Sequence, residues 1–265
     1  MRNLLGRLFV QQRVFLLACA LVLGFFEYLI CALVASVDLQ GALDQILMFT
    51  PPVMRTVIEQ SLVGGSVAGV LAFGWNHPIV HVLLSAVAVA FGTRAVAGEL
   101  ENGAMEMVLA QPISRARYLA THLVFGWLSI VAVALVGIAA TALGQRVYDV
   151  GPIATSRLLL LAGNVVLLQV AIYGLTLLFS TLGREAGRVA GQSVLVVVVS
   201  YFINAIATLW PDAAFMHAYS LHSYFEPRDI LMNGKLPATS FMVLGSFAAL
   251  TTLLAFLRFR RRDLP

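Results

Sequence analysis

GELENGAMEMVLAQPISRAR, residues 98–117, is a polar island carrying Glu99, Glu101 and Glu106, three of the thirteen acidic residues of the chain. The stretches on either side, 77–97 and 118–143, are apolar. Crossing a hydrocarbon core of about 30 Å takes roughly 20 residues of helix, so both flanks are long enough to span and the island is a loop between two spans. Inside it, Asn102-Gly103 is a turn signal and Gln111-Pro112 is a stop, which leaves Ala104–Ala110 as a two-turn helix. Met105, Val108 and Leu109 share one face of that helix and Glu106 points away. Ser114 is placed to cap the span that follows.

The rest of the composition agrees with a membrane setting. Residues are 60% hydrophobic and 11% charged, with a mean hydropathy of +0.90, whereas a soluble domain has about 25% charged residues. The fold class is therefore all-α integral membrane, and 265 residues leave room for six spans and little else. The expected layout is an amphipathic interfacial helix at 1–13, spans at 14–36, 77–97, 118–143, 157–182, 188–210 and 238–257, and the loop at 98–117. Together they form one transmembrane domain, 1–265. The connection 37–76 breaks at Thr50-Pro51-Pro52, and its second half, from Ile58 to Trp75, reads either as a re-entrant or interfacial helix or as an extension of the second span.

Sixteen of the seventeen basic residues are arginine, and most flank apolar segments. This is a topology signal rather than the footprint of a nucleic-acid partner. With the N-terminus inside, twelve basic residues face the cytoplasm and five face out, which places both termini and the island in the cytoplasm. Leu16-Leu17-Ala18-Cys19 looks like a lipoprotein processing box, but only Val14–Ala18 separate Arg13 from the cysteine. That is shorter than the roughly 7 to 15 apolar residues of a signal peptide, so the segment is read as an uncleaved span. Cys19 and Cys31 lie about 18 Å apart on one helix and cannot pair with each other.

Gly98-Glu99, Asn102-Gly103, Glu106, Leu109-Ala110, Gln111-Pro112 and Ser114-Arg115 stand in an order that resembles the first cytoplasmic loop of the type-2 family of ATP-binding-cassette (ABC) transporter permeases. Within the family the likeness is closest to the branch containing the copper-processing permease of nitrous-oxide-reductase maturation. The resemblance implies an exporter subunit in the cytoplasmic (inner) membrane of a bacterium, working as a homodimer or with a paralogous permease. It also implies two copies of a separate ATPase that bind ATP and Mg, with no cofactor in this chain. The island then becomes a coupling helix. Glu99, Glu101, Glu106 and Arg115 are candidates for its polar contacts, and Met105 and Leu109 for its apolar anchors. No phosphate-binding loop is present here: the single lysine, Lys235, is followed by Leu236 rather than Ser or Thr.

Other features are weighed individually. Glu27, Asn164 and Asn204 come to similar depths in the outer half of their spans, as a polar ring on a translocation path or as structural hydrogen-bonding groups. Gly183, Gly187 and Gly191 repeat every four residues, a spacing that suits close helix packing in a permease dimer or a flexible loop. His77 and His81, at i and i+4, have a metal-chelating spacing, but a third ligand has to come from a distant loop, and no metal is assigned. An intramembrane protease with Ser193 as nucleophile places that serine at the opposite end of its span from His217 and His222. The non-ABC readings are an ATP-independent channel or secondary transporter, for which mid-membrane charge relays are thin, and a non-transporting assembly or signalling protein.

Overall fold

The computed structural model describes residues 2–51, 55, 66–105, 113–151 and 153–262. Six helical segments among them are long and apolar enough to cross a membrane: Leu4–Ser36, Val67–Glu101, Arg115–Tyr148, Thr155–Leu182, Ala186–Leu209 and Ala238–Arg261. The architecture is that of an all-α membrane protein. Its helices are α1 (Arg2–Ser36), α2 (Leu39–Phe49), α3 (Val67–Trp75), α4 (Pro78–Thr93), α5 (Arg115–Tyr148), α6 (Thr155–Leu182), α7 (Ala186–Leu209), α8 (Pro227–Asn233) and α9 (Ala238–Arg261).

The first helix has no break at residue 13, where the interfacial segment and the first span were expected to part. Gln11-Gln12-Arg13 contains neither proline nor glycine, and nothing there interrupts the backbone ladder. A rod of 35 residues is about 52 Å long and overhangs a hydrocarbon core of about 30 Å by about four turns. The amphipathic segment and the span are therefore two parts of one helix.

The second span begins ten residues before His77, at Val67, so the described part of the apolar half of the first connection extends that span. The joint is Asn76-His77-Pro78. Proline occupies the first turn of α4, where its missing N–H leaves nothing unpaired, and the His77 ring accepts the backbone N–H of Ile79 at 3.3 Å. Trp75, at the end of α3, is fully buried and donates from Nε1 to Thr141 at 3.2 Å.

The fourth span, α6, is the centre of the bundle and packs against α4, α5, α7, α8 and α9. Glycines on two neighbours and on α6 itself make this possible. A Cβ at Gly126 of α5 would lie 2.5 Å from the Tyr173 ring, one at Gly92 of α4 would lie 2.8 Å from Thr176, and one at Gly174 would lie 2.6 Å from the Thr251 hydroxyl of α9. Close backbone approach of this kind is how helices associate where lipid supplies no hydrophobic drive. α1 packs on the far side of α5, and α7 presents Val194, Leu195, Val198 and Phe202 outward.

At the end of the bundle away from the termini, residues 210–237 fold back over the spans. The Asn164 side chain donates to the Tyr224 carbonyl at 3.0 Å and accepts the Glu226 N–H at 2.9 Å. Arg157 donates to the carbonyls of Leu231 and Met232 at 2.8 and 2.9 Å. Ser200 meets the His222 ring at 2.9 Å and accepts the Leu221 N–H at 2.9 Å.

Candidate coupling site

The second span does not end as an α-helix. From Arg94 to Gly98 its backbone forms a π-helical turn, followed by a short helical turn, Glu99–Glu101. Asn102 and Gly103, with Gly103 at φ 68°, then redirect the chain, as the Asn-Gly pair requires. A π turn widens the helix and disturbs its hydrogen-bond ladder, and here other spans supply the partners. The Ser180 hydroxyl near the end of α6 accepts from Val96 N at 3.2 Å and Ala97 N at 2.9 Å, and donates to the Thr93 carbonyl at 2.8 Å. The Tyr118 hydroxyl from the first turn of α5 donates to the Ala95 carbonyl at 2.8 Å. Ser180 and Tyr118 are both buried.

Two further ties reach across the same end. Glu101 accepts the N–H of Ala186, the first residue of α7, at 2.7 Å, placing a carboxylate where the helix dipole is positive. Arg262, just past α9, donates to the carbonyls of Thr181 at 2.7 Å, Ser180 at 3.3 Å and Gly183 at 2.8 Å. It thereby caps the C-terminus of α6 with a fixed charge. Burial, together with Arg184 and Arg258 nearby, lowers the pKa of its guanidinium from the ordinary arginine value. Arg115 closes the circuit by donating to the Arg262 carbonyl at 2.6 Å. Ser114 caps α5, as its position foretold, by accepting the Arg117 N–H at 3.3 Å.

The candidate contact residues thus divide. Glu99 is half-buried, 3.9 Å from Arg7 of α1. Glu101 and Arg115 are occupied within the chain, and Met105 is 2% exposed and belongs to the core. Glu106, Leu109 and most of the Ala104–Ala110 segment lie outside the described residues.

The other candidates are spread through the bundle. Glu27 is fully buried on α1 and accepts from the Thr141 hydroxyl at 3.3 Å, which joins α1, α3 and α5 through Trp75. Asn164 and Asn204 both bond the folded-back loop, Asn204 by accepting from Ser223 at 2.9 Å. His81 is buried, with its ring 4.9 Å from that of His222, while His77 stacks on Phe26. Among the described residues no three of His, Cys, Asp or Glu converge on one point. The Ser193 hydroxyl donates to the carbonyl of Val189, one turn back on its own helix, at 2.9 Å, and no histidine engages it.

Gly183 ends α6, where a Cβ would lie 2.5 Å from Val189, whereas Gly187 and Gly191 have open space beside them. Sequence reasoning missed Ser180, Tyr118 and Arg262. A serine in the last turn of an apolar span is a weak signal, and Arg262 is hidden among arginines that read as topology markers.

No curated protein matches the chain in sequence. A family model described as ABC-2 family transporter protein matches residues 7–264, and the chain has six helices apolar and long enough to span a membrane: it belongs to the ABC-2 family of transporter proteins, as a membrane permease.

Proposed function

We propose that this permease is the membrane half of an exporter driven by a separate ATPase, which binds ATP and Mg and pushes on the 98–117 segment. One observation supports this reading above the others. The end of the second span that leads into that segment is hydrogen-bonded to the fourth span through Ser180, the segment itself to the fifth through Glu101, and the C-terminus is fastened to the same place by Arg262 and Arg115. Closure of paired ATPases is a rigid-body motion, and a lever transmits it only if joined stiffly to the parts it must move. A force applied at Asn102 therefore reaches spans two, four and five together.

In this reading both termini are cytoplasmic, in the inner membrane of a bacterium, in keeping with the arginine count. Two permease copies, identical or paralogous, pair with two ATPases, and the open faces of Gly187 and Gly191 on α7 suit such a pairing. Cargo passes between the two halves by alternating exposure. The island resembles that of the branch containing the copper-processing permease of nitrous-oxide-reductase maturation, and membership of that branch is part of this proposal.

Co-purification with an ATPase encoded beside the gene tests the proposal directly. Replacing Glu99 and Glu106 together with lysine should release the ATPase or uncouple its hydrolysis from transport. A complex that survives this charge reversal with coupled activity removes the island from the mechanism. A cysteine at Ser114 should react only with reagents on the cytoplasmic side.

A further inference from the structure

A polar cavity of about 310 Å³ opens beside the π turn, between α1, the end of α4 and the start of α5. Arg7 and Arg94 line it with exposed side chains, and half-buried Glu99 lines it too. Two groups in its wall lack partners. The Glu99 Oε2 atom is buried with no hydrogen bond, its nearest cation being Arg7 at 3.9 Å, too far for one. His122 is 4% exposed, and its Nε2 also has no partner. Buried polar atoms are nearly always paired, so two orphans in one wall mark a place where a ligand completes the bonding.

Charge and depth narrow the class of ligand. Two guanidiniums suit a phosphodiester, whose oxygens they bind as charge-assisted acceptors. The carboxylate beside them is unfavourable for a purely anionic ligand and suits one that also carries an N–H or O–H donor. Leu8, Phe91 and Phe125 supply an apolar wall. The neighbouring residues on α1, Phe9, Val10 and Val14, are 58%, 59% and 74% exposed, as residues facing hydrocarbon are. The mouth therefore lies where polar headgroup meets acyl chain, on the side of the membrane that carries the termini.

We propose that this cavity holds the headgroup of a glycerophospholipid, with the phosphodiester between Arg7 and Arg94 and the terminal donor, an ammonium or a hydroxyl, on the Glu99 carboxylate. A bound lipid there touches the π turn and α1 at once and stiffens the joint between them. Phosphatidylethanolamine and phosphatidylglycerol carry the required donor. Phosphatidylcholine, whose nitrogen bears only methyl groups, does not.

Native mass spectrometry of the purified full-length protein, titrated with these three lipids bearing the same acyl chains, tests the site. Retention of the ethanolamine and glycerol lipids should exceed that of the choline lipid about tenfold, as expected for charge-assisted hydrogen bonds. Arg7→Ala with Arg94→Ala should lower retention of all three lipids about tenfold, since the phosphodiester is common to them, while Arg188→Ala, at an exposed arginine paired with Glu185, should leave retention intact. Glu99→Gln should weaken the ethanolamine lipid more than the glycerol lipid, because only the ammonium needs the negative charge; this readout stands even where the double arginine variant fails to fold. Equal retention of all three lipids by the wild type, or undiminished retention in the arginine variant, overturns the proposal. Displacement of the lipid by equimolar glycerophosphoethanolamine assigns the site to a soluble phosphodiester and likewise overturns it. A partner-protein segment as the natural occupant predicts retention independent of headgroup, which the first comparison excludes or reveals.

Discussion

The hydroxyl of Ser180 accepts the backbone N–H of Ala97 at 2.9 Å, across 83 residues of sequence. With Val96 N–H and the Thr93 carbonyl as its other partners, this one side chain completes three backbone groups that the π turn leaves open. Ser180→Ala orphans all of them in a buried place, where each unpaired group costs about 1–3 kcal/mol. Partial relief by water leaves an expected loss of about 3 kcal/mol, measurable by denaturant unfolding in detergent. Unchanged stability would show that the π turn holds itself without α6.

Glu101 acts as an N-cap for α7 from outside that helix, since it accepts the Ala186 N–H at 2.7 Å. Glu101→Ala should cost about 1 kcal/mol and speed amide exchange at Ala186 and the residues following it. Glu101→Gln retains an acceptor without the charge and should cost about half as much. Equal exchange in all three proteins would mean that the fifth span starts independently of the island.

Arg262 forks onto the carbonyls of Thr181 at 2.7 Å and Gly183 at 2.8 Å through two different nitrogens. A lysine ammonium is a single point and cannot reproduce that geometry. Arg262→Ala should therefore lower the melting temperature, by an amount equivalent to about 2 kcal/mol, and Arg262→Lys should recover only part of it. Full recovery by lysine would reduce the contact to generic charge at a helix C-terminus.

Much of the fold is legible in the sequence because one rule dominates it: in lipid, backbone groups must pair within a helix, so apolar length alone reveals the spans. The Asn102-Gly103 turn, the Ser114 cap and the Pro78 helix start are equally readable, each being a local requirement of two to four residues. What escaped notice is long-range. Glu101 in sequence is one more acid in an acidic loop, and only folding brings Ala186 beside it. Asn164 and Asn204 have the depth of path residues, but depth says nothing of azimuth, and both turn toward the loop covering the opposite end. The π turn is invisible because Arg94-Ala95-Val96-Ala97-Gly98 is ordinary helical sequence. Its irregular backbone is stabilised by Ser180 and Tyr118, residues remote in the chain.

At that opposite end, His222 supplies a dependence on pH. It lies outside the spans, 1% exposed, with Nδ1 on the Ser200 hydroxyl at 2.9 Å, the His81 ring 4.9 Å away and Nε2 unpartnered. Burial lowers its pKa from 6.5 to about 4. The folded state thus prefers the neutral ring, so this contribution to stability is complete above pH 6.5 and is lost as the pH falls from there toward 4. The full loss amounts to about 3 kcal/mol. Glu226 in the same loop slopes the other way: burial raises its pKa, so the fold favours the protonated acid and loses that contribution as the pH rises. Thermal unfolding of the wild type and of His222→Gln across pH 4 to 8 should therefore give curves that run parallel above about 6.5 and separate below it, the wild type falling faster. Curves that stay parallel throughout would mean that the protonated ring is accommodated in the fold, with His81 or Ser200 yielding to it.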